Sequence, residues 1–597
     1  MRKATAFFVI LGAALAQDAS PAAPAASDVE RLARLLRLED LRVATPAAWA
    51  ALEGAAADDA AWKARVALAK KRVFEDPFAE TPRAVDGEAL VRAYSAEHDD
   101  VDALQVAAHD LARFPGRLPK SAAEPLRARL GHPDPEVAGF TARALARVEG
   151  AGEAEASAIV AAALNGGGRL AQIDRLRALA TLPGGPARPA ILAAMTAGDP
   201  HLRRTACETA AAVAGTLPDR DRKGLARLAE TISANDPEHD VRAAAADAFA
   251  ALDRRAFLAA ADGYRFAAPW PVRAVAARRF ATFASLDPEA LAPDFGADPD
   301  RRVRQAALEA WADVAARKDA AAFAVARARA ASLAPECDPV AVGLQARIRR
   351  ALWDSKRETD RAALAAFLER ARAAIPVHDV EPLQDLVRLA DAFGGEEGTA
   401  TLVALASAPH VERDVFARAR AALERRGKPA PPAAEVDPEG VDLAPYLEAA
   451  RRALDPTPIT ARVTTDRGVL TFRMRPDVAP LTVRRFAALA RAKFYDGLLF
   501  HRVVPGFVAQ AGCPRGDGWG GSAETLRCET SASPYMRGTL GMALAGKDTG
   551  GSQWFVTHRR TPHLEGKYTV FGELVDGFDA LDALVQGDRI RSVVVDG

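Results

Sequence analysis

Val241-Arg242, Val272-Arg273 and Val303-Arg304 follow one another at intervals of 31 residues, and Leu202-Arg203 holds an equivalent place. A fold for this 597-residue chain has to satisfy that period. A second pattern runs through the same region. Asp134-Pro135, Asp199-Pro200, Asp236-Pro237, Asp298-Pro299 and Asp338-Pro339 each precede an Ala-rich stretch with apolar residues at helical spacing. Aspartate accepts hydrogen bonds from the free N–H groups that open a helix, and proline fits the first turn, where its missing N–H costs nothing. Alanines such as Ala243–Ala246 let neighbouring helices approach closely. Helix pairs of this length cannot bury their apolar faces alone, so a series of them is expected to stack.

The pattern resembles HEAT repeats across about Leu126 to Leu423, with units of roughly 30 to 40 residues. The resemblance implies an all-α HEAT-like solenoid, assigned to residues 28–424, with a surface suited to a client or another protein partner. Ahead of it, residues 1–16 read as a signal peptide: Arg2 and Lys3, an apolar run from Ala4 to Leu15, and the small-x-small site Ala14-Leu15-Ala16. That run is shorter than the roughly 20 residues of a spanning helix, and Gln17 rather than cysteine follows the site. The expectation is an exported protein with no membrane anchor after cleavage. The signal has a bacterial form, which points to the periplasm, with secretion as the alternative. Residues 17–27 are a low-complexity Ala/Pro tether.

Formal net charge is zero, from 79 basic and 79 acidic residues that interleave throughout. No global field therefore draws nucleic acid, and no nucleic-acid partner is expected. The four cysteines, Cys207, Cys337, Cys513 and Cys528, lack the spacing of a zinc site, and no histidines sit at metal-ligand spacing. No metal and no cofactor are expected.

Residues 425–440 form a proline-rich linker and 441–457 a connecting helix. After Pro456 the texture changes. Ile459–Thr465 and Val469–Met474 alternate around Asp466-Arg467-Gly468, which reads as a β-hairpin. Further on stands Phe500-His501-Arg502-Val503-Val504-Pro505-Gly506-Phe507, with Gln510 beyond it. Arg502 alternates with hydrophobic neighbours, as it would on a strand that presents it to a partly apolar surface. A guanidinium does not give up its proton, so it is a poor acid or base and a good fixed donor. The implied chemistry works by electrostatics and shape, without a covalent intermediate.

From Ile459 to Val595 the chain resembles cyclophilin-type peptidyl-prolyl isomerases, and residues 458–597 are assigned to that domain. The landmarks come in the family's order: Tyr495-Asp496-Gly497, the Phe500–Gln510 segment, Gly518-Trp519-Gly520-Gly521, Gly541–Gly546, Gly551-Ser552-Gln553-Trp554-Phe555, and His563–Gly572. The resemblance implies a closed eight-stranded β-barrel with two capping helices and a site on its outer face. It implies that Arg502 donates to a twisted prolyl amide and that Gln510 orients it. It makes Phe507, Val508, Phe555 and Leu564 the proline socket, where Val508 replaces the family's usual methionine. His501 matches a binding-face histidine. Ala543 and Leu544 match the strand that pairs with the substrate main chain, with Leu544 in place of the usual asparagine. Thr549 and Gln553 line the neighbouring groove.

Two further departures lie at the rim. His563 stands where cyclosporin-sensitive members often carry tryptophan, which implies weakened cyclosporin binding. Tyr568 replaces a common histidine and can still donate a hydrogen bond. Cys513 and Cys528 fall within one compact unit, and a disulfide between them would clamp the glycine loop; two separate core thiols are the alternative. The expected function is exported peptidyl-prolyl cis-trans isomerisation in proline-containing protein clients, with the helical repeats recruiting a client or partner. The competing expectation is a scaffold or chaperone-like protein whose barrel binds proline segments with little turnover.

Overall fold

A computed structural model describes residues 26–596 apart from 43–48, 51, 54–58, 76–77, 79–85, 97–99, 287–294, 318–323, 325, 327, 329–337, 355–360, 377–378, 408–412 and 432–437. The signal sequence 1–16 and Cys337 lie outside the described residues. Of the residues read as a tether, 17–25 also lie outside the described residues, and a helix runs over Ala26–Asp40. Asp28 stands in its first turn and pairs with Arg31. No described helix is long and apolar enough to cross a membrane.

The region before the linker is helical. Val101–Ala112, Pro135–Leu145, Arg169–Leu179, Pro200–Val213 and His239–Leu252 pack side by side in one row. Trp270–Leu286, Arg301–Ala315, Pro339–Asp354 and Val380–Phe393 continue it. The recurring arginines explain the period. Arg203 reaches the carbonyls of Ala197 and Gly198, Arg273 those of Ala267 and Ala268, and Arg304 those of Asp298 and Pro299. Each arginine ties down the loop that enters its own helix, while the residue before it, Leu202, Val272 or Val303, is buried.

The Asp-Pro pairs divide into two groups. Asp134, Asp199 and Asp338 cap helices as expected, accepting from the N–H groups of the first turn. Asp236 and Asp298 stand further back, because those helices begin at His239 and Arg301. Their carboxylates are instead gripped bidentately by Arg203 and Arg273 of the preceding helix in the row.

The C-terminal region is one curled antiparallel sheet of eight strands: β1 Thr460–Thr465, β2 Gly468–Met474, β3 Arg502–Val504, β4 Val508–Ala511, β5 Thr539–Met542, β6 Trp554–Thr557, β7 Val570–Asp576 and β8 Ile590–Asp596. The strand order is β3-β4-β6-β5-β7-β2-β1-β8. Beside the two outer strands, Leu498 and Phe500 exchange backbone hydrogen bonds with residues 587–590. Helices Pro480–Arg491 and Phe578–Ala583 accompany the sheet. Phe472, Phe486, Phe500, Trp554 and Phe571 fill its interior, all buried.

The helical row lies against the sheet. Arg559 enters it and makes a two-pronged ion pair with Asp174, both side chains almost wholly buried. Gly139 makes room for this pair, since a Cβ there would stand 2.6 Å from the Asp174 carboxylate. Arg467 bridges Asp588 and Glu238, and Arg515 bridges Asp517 and Asp338. Arg42 pairs with Asp548 near the N-terminal helix.

Removing one partner of a buried pair leaves an uncompensated charge. Asp174→Ala is expected to cost about 3–5 kcal/mol. Urea unfolding followed by tryptophan fluorescence measures it, and a loss under about 1 kcal/mol contradicts the role given to this pair.

Candidate active site

The register of four strands assembles one face of the site. Arg502 on β3 stands opposite Gln510 on β4, which stands opposite Phe555 on β6, which stands opposite Gly541 on β5. Side chains alternate across a strand, so this row shares the outer face, while Val503, Ala509 and Trp554 point into the core. Arg502 donates to Gln510 Oε1 at 3.3 Å, and Gln510 Nε2 donates to Gln553 Oε1 at 2.9 Å. Gln553 Nε2 in turn donates to the carbonyls of Gly518 and Gly520, at 2.6 and 2.7 Å. A relay thus runs from the guanidinium to the glycine loop. Arg502 itself remains largely exposed. Partial burial, and after it the charge of Arg204, hold its pKa below the ordinary guanidinium value. It stays cationic at neutral pH.

The apolar half is a cluster separate from the sheet interior. Val508, Phe555 and Leu564 are buried together with Tyr535 and Val570, and Phe507, Ala543 and Tyr568 pack against them. Gly541 is required here: a Cβ would lie 2.5 Å from the Phe555 ring and 2.6 Å from Tyr535 Oη. Tyr535 stacks on Phe555 at 5.8 Å and donates to the Thr569 carbonyl. Tyr568 meets Phe555 edge-on at 5.9 Å. Leu544 and Thr549 flank a cavity of about 220 Å3 beyond Gln553. Thr549 also closes its turn, accepting from Ala545 N and donating to Gly546 O.

Two expectations change. His501 is buried rather than laid open on the binding face, between Gly518 and a cavity shared with the helical row. Burial pushes its pKa down to about 4. Cys513 and Cys528 form no disulfide; both are free, buried thiols. Each sulfur faces a different backbone. Cys513 Sγ accepts from Gly518 N and Gly520 N at 3.3 Å, and Cys528 Sγ from Asp548 N at 3.1 Å. The glycine loop is therefore held by a thiol and by Gln553 instead of by a covalent clamp.

The helical region borders the site at both ends. Asp379, Val380 and Glu381 line the cavity beside Leu544 and Thr549. At the other end, His563 stacks on Phe507 at 5.5 Å and on His109 at 5.3 Å, and the two imidazoles hydrogen bond at 3.2 Å. Burial, then Arg113, lower the His563 pKa to about 3. Arg204 donates to the carbonyl of Val503, next to Arg502. Residues about 450 positions apart in the chain therefore meet here, and no linear motif announces them. Tyr535 and Val570 escaped notice for a different reason, since an isolated aromatic or valine near a strand reads as ordinary core.

Residues 460–596 match the family described as cyclophilin type peptidyl-prolyl cis-trans isomerase/CLD. Peptidyl-prolyl cis-trans isomerase B of Bacillus subtilis is 48% identical over 134 residues, covering 22% of this chain and 94% of that protein. A Helicobacter pylori peptidyl-prolyl cis-trans isomerase is 46% identical over 138 residues, covering 22% of this chain and 85% of that protein. A solved Cryptosporidium parvum cyclophilin, crystallised in the presence of the dipeptide Ala-Pro, is 31% identical with a TM-score of 0.23, covering 23% of this chain and 99% of that one. Through residues 460–596 the chain belongs to the cyclophilin-type peptidyl-prolyl cis-trans isomerases.

Proposed function

We propose that Arg502 is the donor to the twisted prolyl amide, that Gln510 and Gln553 hold it in place, and that Phe507, Val508, Phe555 and Leu564 receive the proline ring. The Arg502–Gln510–Gln553 relay standing beside a closed apolar cluster carries this reading. An X–Pro bond resists rotation by roughly 18–20 kcal/mol because of amide resonance, and no bond has to break for it to turn. Gripping the ring while the carbonyl side rotates requires an apolar socket. Stabilising the pyramidal nitrogen or the carbonyl oxygen requires a fixed donor whose reorganisation is already complete. Ala543 and Leu544 offer backbone groups to the client's main chain, and Thr549 with Gln553 borders the groove. His563 and Tyr568 form its rim.

In the same reading the protein is exported, to the periplasm or beyond the cell. The curled sheet is a closed barrel, residues 28–424 are a HEAT-like solenoid, and that solenoid binds a client or partner. The scaffold reading, in which proline segments bind with little turnover, draws its support from the helical walls at both ends of the groove. One assay separates the two. Proline isomerisation by the full chain is compared with that of Arg502→Ala, for which kcat/KM is expected to fall about 100- to 1,000-fold, as when an oxyanion-type donor is removed. No turnover by the unmutated chain favours the scaffold, and equal turnover by both removes Arg502 from its role.

Isomerisation moves no proton, so kcat/KM is expected to stay flat from pH 6.5 to about 8.5. Stability behaves differently. Burial holds His201 and His501 near pKa 4 and His563 near 3, and lowers His558 well below its ordinary value. The unfolded chain takes up those protons near pH 6.5, so acidification favours unfolding. Burial raises Glu136 and Glu529 to about 7, which acts in the opposite sense. Among these large shifts four groups outweigh two. The thermal midpoint is expected to drop as pH falls from about 6.5 to about 5. A midpoint that rises over that interval refutes this balance.

A further inference from the structure

A cavity of about 280 Å3 opens beside the socket, with Phe507 and His563 as the wall common to both. Its other walls carry five guanidinium groups: Arg113, Arg143 and Arg177 from the helical row, and Arg559 and Arg560 from the sheet region. Among the described residues no carboxylate lines it, though the charge of Glu136 acts on Arg559 from nearby. Asp174 serves two of the five, gripping Arg559 in two places and reaching Arg143 at 3.6 Å. Among the described residues Arg113, Arg177 and Arg560 have no carboxylate at ion-pair distance. Burial holds Arg113 and Arg177 below the ordinary guanidinium pKa; at Arg113 the charge of Arg143 adds to it and Asp110 opposes it, and at Arg177 Asp174 and Glu208 oppose it while Arg559 and Arg143 add to it. Thr561 also lines the cavity; it is 2% exposed, and its hydroxyl has no hydrogen-bond partner.

Partly desolvated guanidinium groups in this excess, with an idle hydroxyl among them, call for an anion. Planar N–H forks match a carboxylate two bonds at a time. The position of the cavity identifies the source of that anion. It shares Phe507 with the proline socket and no residue with the cavity that Ala543 and Leu544 line. An extended chain advances about 3.4 Å per residue, so a client residue one or two positions from the proline reaches it.

We propose that this cavity is a specificity pocket for an acidic side chain, and that the enzyme prefers proline bonds with aspartate or glutamate one or two residues away on a single side. The helical row, through Arg113 and Arg143, would then supply half of a substrate subsite. This rests on the groove being the isomerase site.

The test uses the full chain and proline peptides carrying glutamate or glutamine at each of the two positions on either side of the proline. One further arm compares a free with an amidated C-terminus, to distinguish a terminal carboxylate from a side chain. Glutamate on one side only is expected to raise kcat/KM at least about fivefold over glutamine at low salt, and the advantage should shrink as salt rises. Arg113→Gln should bring the glutamate-to-glutamine ratio close to one, and Arg113→Lys should keep part of it. Peptide binding by fluorescence anisotropy is read alongside and should show the same ratios, which guards against a poorly folded variant. Turnover of the glutamine peptides without a glutamate advantage, or an equal advantage on both sides, overturns the pocket and leaves the isomerase reading intact. A gain seen only with the free terminus also overturns it. Failure to turn over or bind any peptide overturns both readings.

Discussion

Alternation of side chains across β3, β4, β6 and β5 is the constraint on which the site depends. The same strands that bury Val503, Ala509 and Trp554 in the sheet interior must turn Arg502, Gln510 and Phe555 outward. A slip of one residue in any of these ladders would send the guanidinium inward and a valine or alanine out. The large inner aromatics resist such a slip, because Trp554 is wholly buried and packs edge-on against Phe500 and Phe472. Core packing and site geometry are two faces of one register.

The polar relay extends that order beyond the strands. Its last link ends on carbonyls of the Gly518–Gly520 loop, and the thiol of Cys513 receives N–H groups of the same residues. Both the donors and the acceptors of the loop are thus satisfied from one side, as buried backbone groups require. A thiol in this position does with two weak contacts what a disulfide would do covalently.

The local features were legible in the sequence because they are written in consecutive residues. The outward row followed from alternation around Arg502, the hairpin from Asp466-Arg467-Gly468, and the apolar cluster of Val508, Phe555 and Leu564 from landmarks in family order. Three of the five Asp-Pro pairs cap helices as their chemistry implies. Asp236 and Asp298 do not, because their helices begin only at His239 and Arg301; each carboxylate still accepts one backbone N–H and takes two charged bonds from an arginine of the neighbouring helix. His501, the two thiols and the His109–His563 stack were illegible for a related reason. Their states depend on which surfaces cover them, and those surfaces come from distant parts of the chain.

Gly506 carries a consequence of its own. Its left-handed backbone turns β3 into β4, and a Cβ there would lie 3.3 Å from Leu170 and 3.8 Å from Ile173 of the helical row. The turn between β3 and β4 is therefore seated against two helical side chains, with Arg204 fastening the adjacent strand. Flexing of the row against the sheet would bear on this turn, which lies between Arg502 and Phe507. It is one of several points, with the Arg559–Asp174 and Arg467–Glu238 pairs, at which the row bears on the sheet.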